Sequence, residues 1–304
     1  MSALILHHYP LSPFSEKIRA MLGYTGLPWQ SVITREMPPR PHLDVLAGGY
    51  RKIPVAQIGA DIFCDTRTIA TEIARLSGKP ELALENCAPE IRDYIAHTDL
   101  QAFLACVLSA GGRELGRKVS ASLSPRDVLR LLADRVAFGR GATVSPMDIF
   151  RARPSVHVAD VERRLGDRAF LFGDTPCHAD FSTWHSLWFL CDQGGSRAVL
   201  NAPRTRTWMA RMRAFGQGRP EMLSPEQALA AARDTAPRPV PEAFRTGPHL
   251  GKAVRIAPSD YGRIATEGVL AGESPSGWIL AREAPGVGPV HVHFPKDGFR
   301  LDVP

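Results

Sequence analysis

Residues 9–19 read YPLSPFSEKIR, and they join an apolar segment, Ala3–His7, to a segment with helical periodicity, Glu16–Tyr24. In the second segment apolar side chains share one helical face, which predicts an amphipathic helix. Ser12 followed by Pro13 is a favourable helix start, because serine caps free backbone N–H groups and proline suits the first helical position. The stretch therefore predicts a strand, a turn and then a helix.

The elements that follow complete a β-α-β-β-α order within residues 1–80. Trp29–Ile33 predicts a second strand, after which the pattern fits either a loop or a helix. Two short apolar runs, Ile53–Ile58 and Ile62–Cys64, predict strands joined by a tight turn. Arg67–Leu76 predicts the closing helix. A βαβ unit followed by a hairpin and a final helix is the arrangement of a thioredoxin-like α/β domain.

The remainder of the chain divides into three parts of different character. Residues 86–236 have helical periodicity and predict an all-α helical bundle. The predicted helices lie near 91–108, 125–138, 155–166, 180–192 and 203–216, and a short one begins at Ser224, with Gln227 at the position that completes a capping box. Residues 237–249 read as a Pro-rich linker. Residues 250–304 contain short alternating runs separated by Gly, Pro and Asp, which predict a small antiparallel β-rich module or partial barrel.

Composition excludes several classes of function. The net charge of +6 comes largely from arginines spread along predicted helices, whereas a nucleic-acid-binding protein would concentrate them in a stripe with aromatic residues. No run approaches the length of a membrane span, and the N-terminus lacks the basic start of a signal peptide, so we expect a cytoplasmic protein. The five cysteines are scattered, with no pair at metal-binding or dithiol spacing, and no metal site is expected.

Three local features have both a structural and a functional interpretation. Ser12 is a good helix cap, but a hydroxyl at a helix N-terminus can also donate to a thiolate and lower its pKa. Pro54 fits an ordinary trans proline that opens a strand, whereas a cis Ile53–Pro54 bond would expose the Ile53 backbone to an extended peptide ligand. Asp65 and Thr66 are ordinary capping residues that could also bind the ammonium and carboxylate of an amino-acid head group. Each feature is weak alone, and their order within a βαβ-ββα frame is more specific.

In this order and spacing, residues 3–215 resemble the glutathione-transferase superfamily. Ser-Pro-Phe at Ser12 is similar to the tau and related serine classes, and the Lys52–Val55 segment is similar to the family's cis-proline strand. Residues 170–181, FLFGDTPCHADF, resemble the family's G-D-x-P-[ST]-x-A-D stretch, with Asp180 placed to bond back to the helix cap and with Cys177 as that cap in place of the usual Ser or Thr. We expect that exchange to weaken the cap by about 1 kcal/mol.

The resemblance implies glutathione as co-substrate and assigns roles to six residues. Ser12 would activate the glutathione thiol for attack on a small apolar electrophile. Lys52 would meet the glycine carboxylate, and Ile53 and Pro54 would present the backbone that pairs with the cysteine. Asp65 and Thr66, which replace the family's Glu/Gln-Ser pair, would hold the γ-glutamyl end. The resemblance also implies a homodimer, and it leaves residues 250–304 without a role.

Two alternatives to a transferase remain open, and a few further residues have a second interpretation. The same fold could serve as a glutathione-dependent isomerase or lyase, similar to the zeta class, or as a non-catalytic binding module. The altered Asp65-Thr66 pair and the appended segment favour the last of these. Four further sets of side chains are candidates for the site, although core or solvated positions are the more common interpretation: Tyr9; Ser15; the Trp184, His185 and Trp188 group; and the His291 and His293 pair.

Overall fold

The computed structural model describes residues 3–141, 144–260 and 262–304. The helices are α1 (Pro13–Thr25), α2 (Pro41–Ala47), α3 (Thr66–Ser77), α4 (Pro89–His97), α5 (Phe103–Ser109), α6 (Arg113–Ser122), α7 (Pro125–Gly141), α8 (Pro146–Arg151), α9 (Pro154–Leu165), α10 (His178–Leu187), α11 (Pro203–Phe215) and α12 (Pro225–Arg233). The strands are β1 (Leu4–His8), β2 (Trp29–Ile33), β3 (Val55–Ile58), β4 (Asp61–Cys64), β5 (Glu221–Met222), β6 (Ala253–Pro258), β7 (Thr266–Glu273), β8 (Gly277–Ala284), β9 (Gly288–Pro295) and β10 (Phe299–Asp302).

The strands form one sheet in the order β10-β6-β7-β8-β9-β4-β3-β1-β2-β5. Its N-terminal part is the predicted thioredoxin-like frame: β1 is parallel to β2 and antiparallel to β3, and β3 is antiparallel to β4. The C-terminal strands are antiparallel to one another, as the sequence predicts. No local sequence pattern predicts the next pairing, in which β9 lies parallel to β4 with Ile62 opposite Val292. The appended strands therefore extend the N-terminal sheet.

Alternation along the central strands builds a separate core on each face of the sheet, since successive side chains of a strand point to opposite faces. Ala56 and Phe63 face a core shared with α1, α3 and the helical segment. Val55 and Ile62 face a second core, which contains residues of α2 and the C-terminal strands, including Val292. The second core explains why β6–β10 attach here, because they cover an apolar face of β3 and β4.

The helical segment forms the predicted bundle and packs against α1. The long helix predicted around 91–108 is present as α4 and α5 joined by a π-helical stretch, Thr98–Ala102. A second π-helical stretch, Trp188–Gln193, continues α10. π-helical turns often occur at functional sites. In the described part of the chain, no helix is long and apolar enough to cross a membrane.

The start of α12 has the predicted capping box. Ser224 Oγ accepts from Gln227 N, and Gln227 Oε1 accepts from Ser224 N at 2.9 Å. Both contacts satisfy backbone N–H groups that would otherwise lack a helical partner.

Candidate functional site

Three segments of the N-terminal domain meet at one edge of its sheet. Val55 pairs with His7 on β1 and with Cys64 on β4. Pro54 is one residue earlier. It therefore lies beside the end of β1, which leads to the Ser12 turn, and beside the end of β4, which leads to Asp65. The register thus brings the Ser12 turn, the Lys52–Pro54 segment and the Asp65-Thr66 pair to the same end of the sheet.

Ser12 lies at the N-cap of α1, as the sequence predicts, and is 2% exposed. Its Oγ accepts a hydrogen bond from Ser15 N at 3.1 Å. That bond uses an oxygen lone pair and does not consume the hydroxyl proton, so the hydroxyl can still donate. The helix N-terminus adds a partial positive charge beside it. This geometry suits donation to a thiolate.

Arg19 holds the turn that precedes Ser12. Its guanidinium donates to the carbonyl oxygens of Tyr9 and Pro10, at 3.2 and 2.9 Å, and to His8 Nδ1 at 3.0 Å. It also forms a buried ion pair with Glu16 at 2.9 Å. Because arginine can only donate, His8 Nδ1 accepts, and the neutral ring carries its proton on Nε2.

The Glu16 carboxylate extends this network into the helical domain. Trp184 Nε1 donates to Glu16 Oε1 at 3.2 Å, and Gln217 Nε2 donates to Oε2 at 2.7 Å. Burial raises the pKa of the Glu16 carboxyl, and the Arg19 charge acts against that shift. The Ser12 turn is thereby fixed by groups from both domains, and Arg19 is a positioning residue.

The Ile53–Pro54 peptide bond is cis, as the family resemblance implies. Ile53 precedes Val55, the first residue of β3. The neighbouring carbonyl of Arg51 accepts a hydrogen bond from Arg40 Nη1 at 2.6 Å, and Arg40 also binds the carbonyls of Arg35 and Glu36. Arg40 thus ties the β2–α2 connection to the segment that leads into the cis-proline turn.

Lys52 does not extend into solvent. Its ammonium binds Asp260 Oδ1 at 2.6 Å and lies 5.7 Å from the centre of the Phe299 ring. Arg51, beside it, forms an ion pair with Asp134 of α7. Both partners come from outside the N-terminal domain.

Asp65 and Thr66 begin α3. Asp65 has a φ of 79°, a conformation uncommon for residues other than glycine, and its Oδ1 accepts from Arg67 N at 3.0 Å. This cap leaves Oδ2 as the oxygen that can meet an ammonium group. Thr66 is 6% exposed. Burial works to lower the pKa of Arg67, but carboxylates led by Asp65 and Asp99 raise it.

A buried ionic cluster lies behind the first turn of α1. Lys17, whose side chain is fully buried, binds Asp99 of the first π-helical stretch at 2.8 Å. Burial works to raise the pKa of Asp99, yet Lys17 and nearby His185 and His178 lower it. His178 Nδ1 lies 2.7 Å from the Leu82 carbonyl, which can only accept, so Nδ1 carries the proton. Burial lowers the pKa of His178 to about 3 and that of His185 to about 4.

The cysteines are not suited to act as nucleophiles. All five are free thiols. Burial raises the pKa of each, to about 12 for Cys106 and Cys177 and to about 11 for Cys191. A thiolate at neutral pH must therefore come from a bound ligand.

The remaining candidates have structural contacts. Tyr9 contributes its carbonyl oxygen to Arg19, and Trp184 is 2% exposed in the core. His185 packs against Phe14, with ring centres 4.9 Å apart. His293 binds Asp61. Within the described ranges, no three His, Cys, Asp or Glu side chains are arranged to hold a metal ion.

The stretch at the start of α10 stabilises the fold. Asp180 Oδ2 accepts from Cys177 N at 3.0 Å, the bond back to the cap that the sequence predicts. Asp180 Oδ1 accepts from Leu171 N and Trp208 Nε1 at 3.0 and 2.9 Å. The carboxylate thus joins the helix start to the preceding turn and to α11.

Sequence reasoning missed the groups that support the site: Arg19, Glu16, Lys17, Asp99 and Asp260. Arg19 and Lys17 are charged residues on a helix, which are normally solvated, and no local sequence signal marks them as buried. Asp260 lies more than 200 residues from Lys52, and nothing local indicates that contact.

The chain is similar to known proteins in its N-terminal sequence and over nearly its full length. Residues 6–81 match the family model described as glutathione S-transferase, N-terminal domain. The crystal structure of a GST-like protein from Pseudomonas syringae is 34% identical, with a TM-score of 0.78, and the match covers 98% of this chain and 99% of that one. Comparison with curated protein sequences gives no significant match.

Two further solved structures are more distant. A glutathione S-transferase from Sinorhizobium meliloti is 20% identical, with a TM-score of 0.47 and coverage of 75% of this chain and 93% of that one. A glutathione S-transferase from Methylobacterium radiotolerans, in complex with glutathione sulfonate, is 18% identical, with a TM-score of 0.47 and coverage of 72% and 96%. Both TM-scores are too low to add to the argument. On the near full-length match and the N-terminal family model, the chain belongs to the glutathione S-transferase family.

Proposed function

We propose that the protein is a glutathione transferase that activates the thiol of glutathione through Ser12. The observation that carries this proposal is the convergence of the Ser12 turn, the Ile53–Pro54 cis peptide and the Asp65-Thr66 helix start at one edge of the sheet. These three features supply a hydroxyl donor, a backbone for an extended thiol peptide and a head-group site.

In the proposed complex, the ligand lies across this edge. Asp65 Oδ2 receives the α-ammonium of the γ-glutamyl group, and Thr66 with the α3 N-terminus receives its α-carboxylate. Ile53 pairs its backbone with the cysteine, and Lys52 lies on the glycine side. The sulfur then lies near Ser12, whose hydroxyl donates to the thiolate and lowers the pKa of the thiol.

The reaction proposed is attack of the glutathione thiolate on an electrophilic carbon of a small apolar substrate. A carbon–sulfur bond forms, and the leaving group departs with its electron pair, or the electrons move to an acceptor atom that is then protonated. Holding both reactants together provides much of the rate. Serine is the hydrogen-bond donor and never the nucleophile.

The organisation we propose follows the chain. Residues 1–80 hold glutathione, residues 86–236 supply the apolar pocket for the electrophile, and the linker 237–249 leads to the β-rich segment 250–304. We also propose a homodimer, and a cytoplasmic location, where glutathione is abundant and thiols stay reduced.

The direct test is conjugation of a generic aryl halide with glutathione, followed as a function of pH. The wild-type rate should rise as the pH passes through the pKa of the bound thiol. That pKa should be lower than the pKa of the thiol in free glutathione. Ser12→Ala should shift that pKa upward and lower kcat/KM at neutral pH by about tenfold to a hundredfold. Ser224→Ala, which also removes a helix cap, should leave the profile unchanged. Absence of conjugation by wild type would contradict the transferase.

One observation favours a second function, that of a non-catalytic binding protein. Lys52 is engaged by Asp260, so a residue assigned to the ligand has a partner within the chain. Glutathione binding without turnover of any electrophile would support this alternative.

A further inference from the structure

The connection between β6 and β7 follows the segment that leads to the cis-proline turn. Asp260 binds Lys52, and Ile264 packs near Gly49. At the end of the connection, Thr266 Oγ1 donates to the Ala47 carbonyl at 3.0 Å. The contacts run in order along residues 47–52, so the connection forms a wall beside this segment.

The contacts at this wall are close. Gly262 has a φ of 65°, and a Cβ at that position would lie 2.7 Å from the Arg51 side chain. A larger residue is therefore excluded both by conformation and by space. Arg263 Nε donates to the Asp260 carbonyl at 3.0 Å, which helps to fix the backbone at Asp260.

The wall lies at the glycine end of the proposed ligand, and the inference rests on the proposed function in this respect. With the γ-glutamyl head group at the α3 N-terminus and the cysteine beside Ile53, the third residue of the tripeptide extends towards Lys52. An ammonium there would bind a carboxylate. In this chain the Lys52 ammonium already binds the carboxylate of Asp260, at 2.6 Å.

Asp260 and a glycine carboxylate would compete for the same ammonium, and two carboxylates beside one lysine repel each other. Arg51 does not offer a simple substitute, because Asp134 of α7 binds it. Asp260 also acts on Arg67 at the other end of the site, where it is one of the carboxylates that raise the pKa of that arginine. The part of the site that would receive the glycine carboxylate therefore already contains a carboxylate of the protein, that of Asp260.

We propose that Asp260 is a specificity-determining residue of the thiol site, which disfavours a free glycine carboxylate and favours γ-glutamylcysteinyl thiols with an uncharged glycine end. Ligands of this class are esters or amides of glutathione. Glutathione itself binds only by displacing Asp260 from Lys52.

The test compares glutathione with glutathione monoethyl ester, esterified at glycine, by calorimetric titration of wild type and Asp260→Asn. Wild type should bind the ester at least as tightly as glutathione. The variant should bind glutathione about tenfold tighter than wild type does, the size of one charge-assisted hydrogen bond, with ester affinity unchanged. Glu283→Gln, which removes an exposed carboxylate from β8, should behave as wild type.

A second parent variant, Lys52→Gln, distinguishes loss of the Lys52–Asp260 contact from a general effect on the fold. In Lys52→Gln, adding Asp260→Asn should change glutathione affinity by less than about twofold, because the ammonium for which Asp260 and the glycine carboxylate compete is absent. Equal affinities of wild type and Asp260→Asn for glutathione, with binding intact, would overturn the inference and leave the proposed function standing. Failure of every variant to bind either ligand would overturn both.

Discussion

Asp61 Oδ1 accepts a hydrogen bond from His293 Nε2 at 2.7 Å, and this contact joins β4 to β9. Asp61 Oδ2 accepts from the backbone N and the Nε of Arg238, in the Pro-rich linker, at 2.9 and 3.2 Å. His293 also stacks on Phe63, with ring centres 4.4 Å apart. One buried carboxylate therefore links the N-terminal domain, the linker and the appended strands.

Replacing this carboxylate should loosen the appended segment. Asp61→Asn leaves His293 and Arg238 without their charged partner, and we expect a loss of roughly 2–4 kcal/mol in the free energy of unfolding. Urea unfolding at neutral pH measures it. Glu267→Gln breaks an exposed pair with Arg255 and should cost less than about 1 kcal/mol.

The same pair predicts a pH dependence. Burial works to raise the pKa of Asp61, but His293 and Arg238 lower it below the ordinary value of 3.8. The contribution of Asp61 is therefore present above that value and is lost as the pH falls through the lower pKa of the folded state. The stability difference between wild type and Asp61→Asn should shrink as the pH falls below about 4. A difference that grows towards acid would contradict this assignment.

Arg19 should affect activity through the Ser12 turn. Arg19→Met removes the donors to Tyr9 O and Pro10 O and leaves Glu16 buried without its cation, at a cost of about 3–5 kcal/mol. Adding Glu16→Gln should recover much of the stability, because no uncompensated charge remains. Conjugation should stay low in the double variant, because the carbonyl oxygens of Tyr9 and Pro10 still lack the hydrogen bonds that Arg19 donates. Recovery of both stability and kcat/KM would show that Arg19 has no positioning role.

Buried neutral histidines should make the protein sensitive to mild acid. Burial lowers the pKa of His7, His157 and His185 to about 4, against an ordinary value of 6.5. Because the unfolded chain takes up these protons first, stability falls as the pH drops below 6.5, by about 2 kcal/mol per histidine at pH 5. The loss is complete below about pH 4.

The variant that tests this is His157→Gln, which removes one such group. Its free energy of unfolding should depend less steeply on pH between 7 and 5 than that of wild type. Equal slopes for wild type and His157→Gln would contradict the assignment.

A cysteine at position 12 should report on the location of the thiol site without any electrophile. Ser12→Cys places a thiol at the α1 N-terminus, where the helix lowers its pKa. With oxidised glutathione, its thiolate should attack one sulfur of the disulfide, forming a mixed disulfide and releasing one glutathione thiolate. Intact-mass measurement should detect one added glutathione, and wild type, whose five cysteines have raised pKa values, should show none at matched times.

The sequence was informative where a local pattern determines structure. The helix start at Ser12, the capping box at Ser224 and the strand order of the first 80 residues follow from neighbouring residues, and the structure contains each of them. For the helix α2 the sequence pattern fits either a loop or a helix, because a seven-residue element carries little periodicity. The helices α6 and α8 were not predicted.

The contacts that couple distant segments lay beyond the sequence. The pairing of β9 with β4 and the Lys52–Asp260 contact depend on tertiary packing, which no local pattern encodes. The buried Lys17–Asp99 pair is similar, because a lysine on a helix normally reads as solvated. The Lys17–Asp99 pair is buried because both domains pack around α1.

The central claim is that this sheet edge binds glutathione and that Ser12 acts on its sulfur. Calorimetric titration of glutathione into wild type and Ser12→Ala, with Ser224→Ala as the capping control, tests it most directly. We predict micromolar to millimolar binding, about −8 to −4 kcal/mol, in all three proteins. A parallel conjugation assay should show kcat/KM at neutral pH lowered by about tenfold to a hundredfold in Ser12→Ala alone. No detectable binding by wild type would contradict the account.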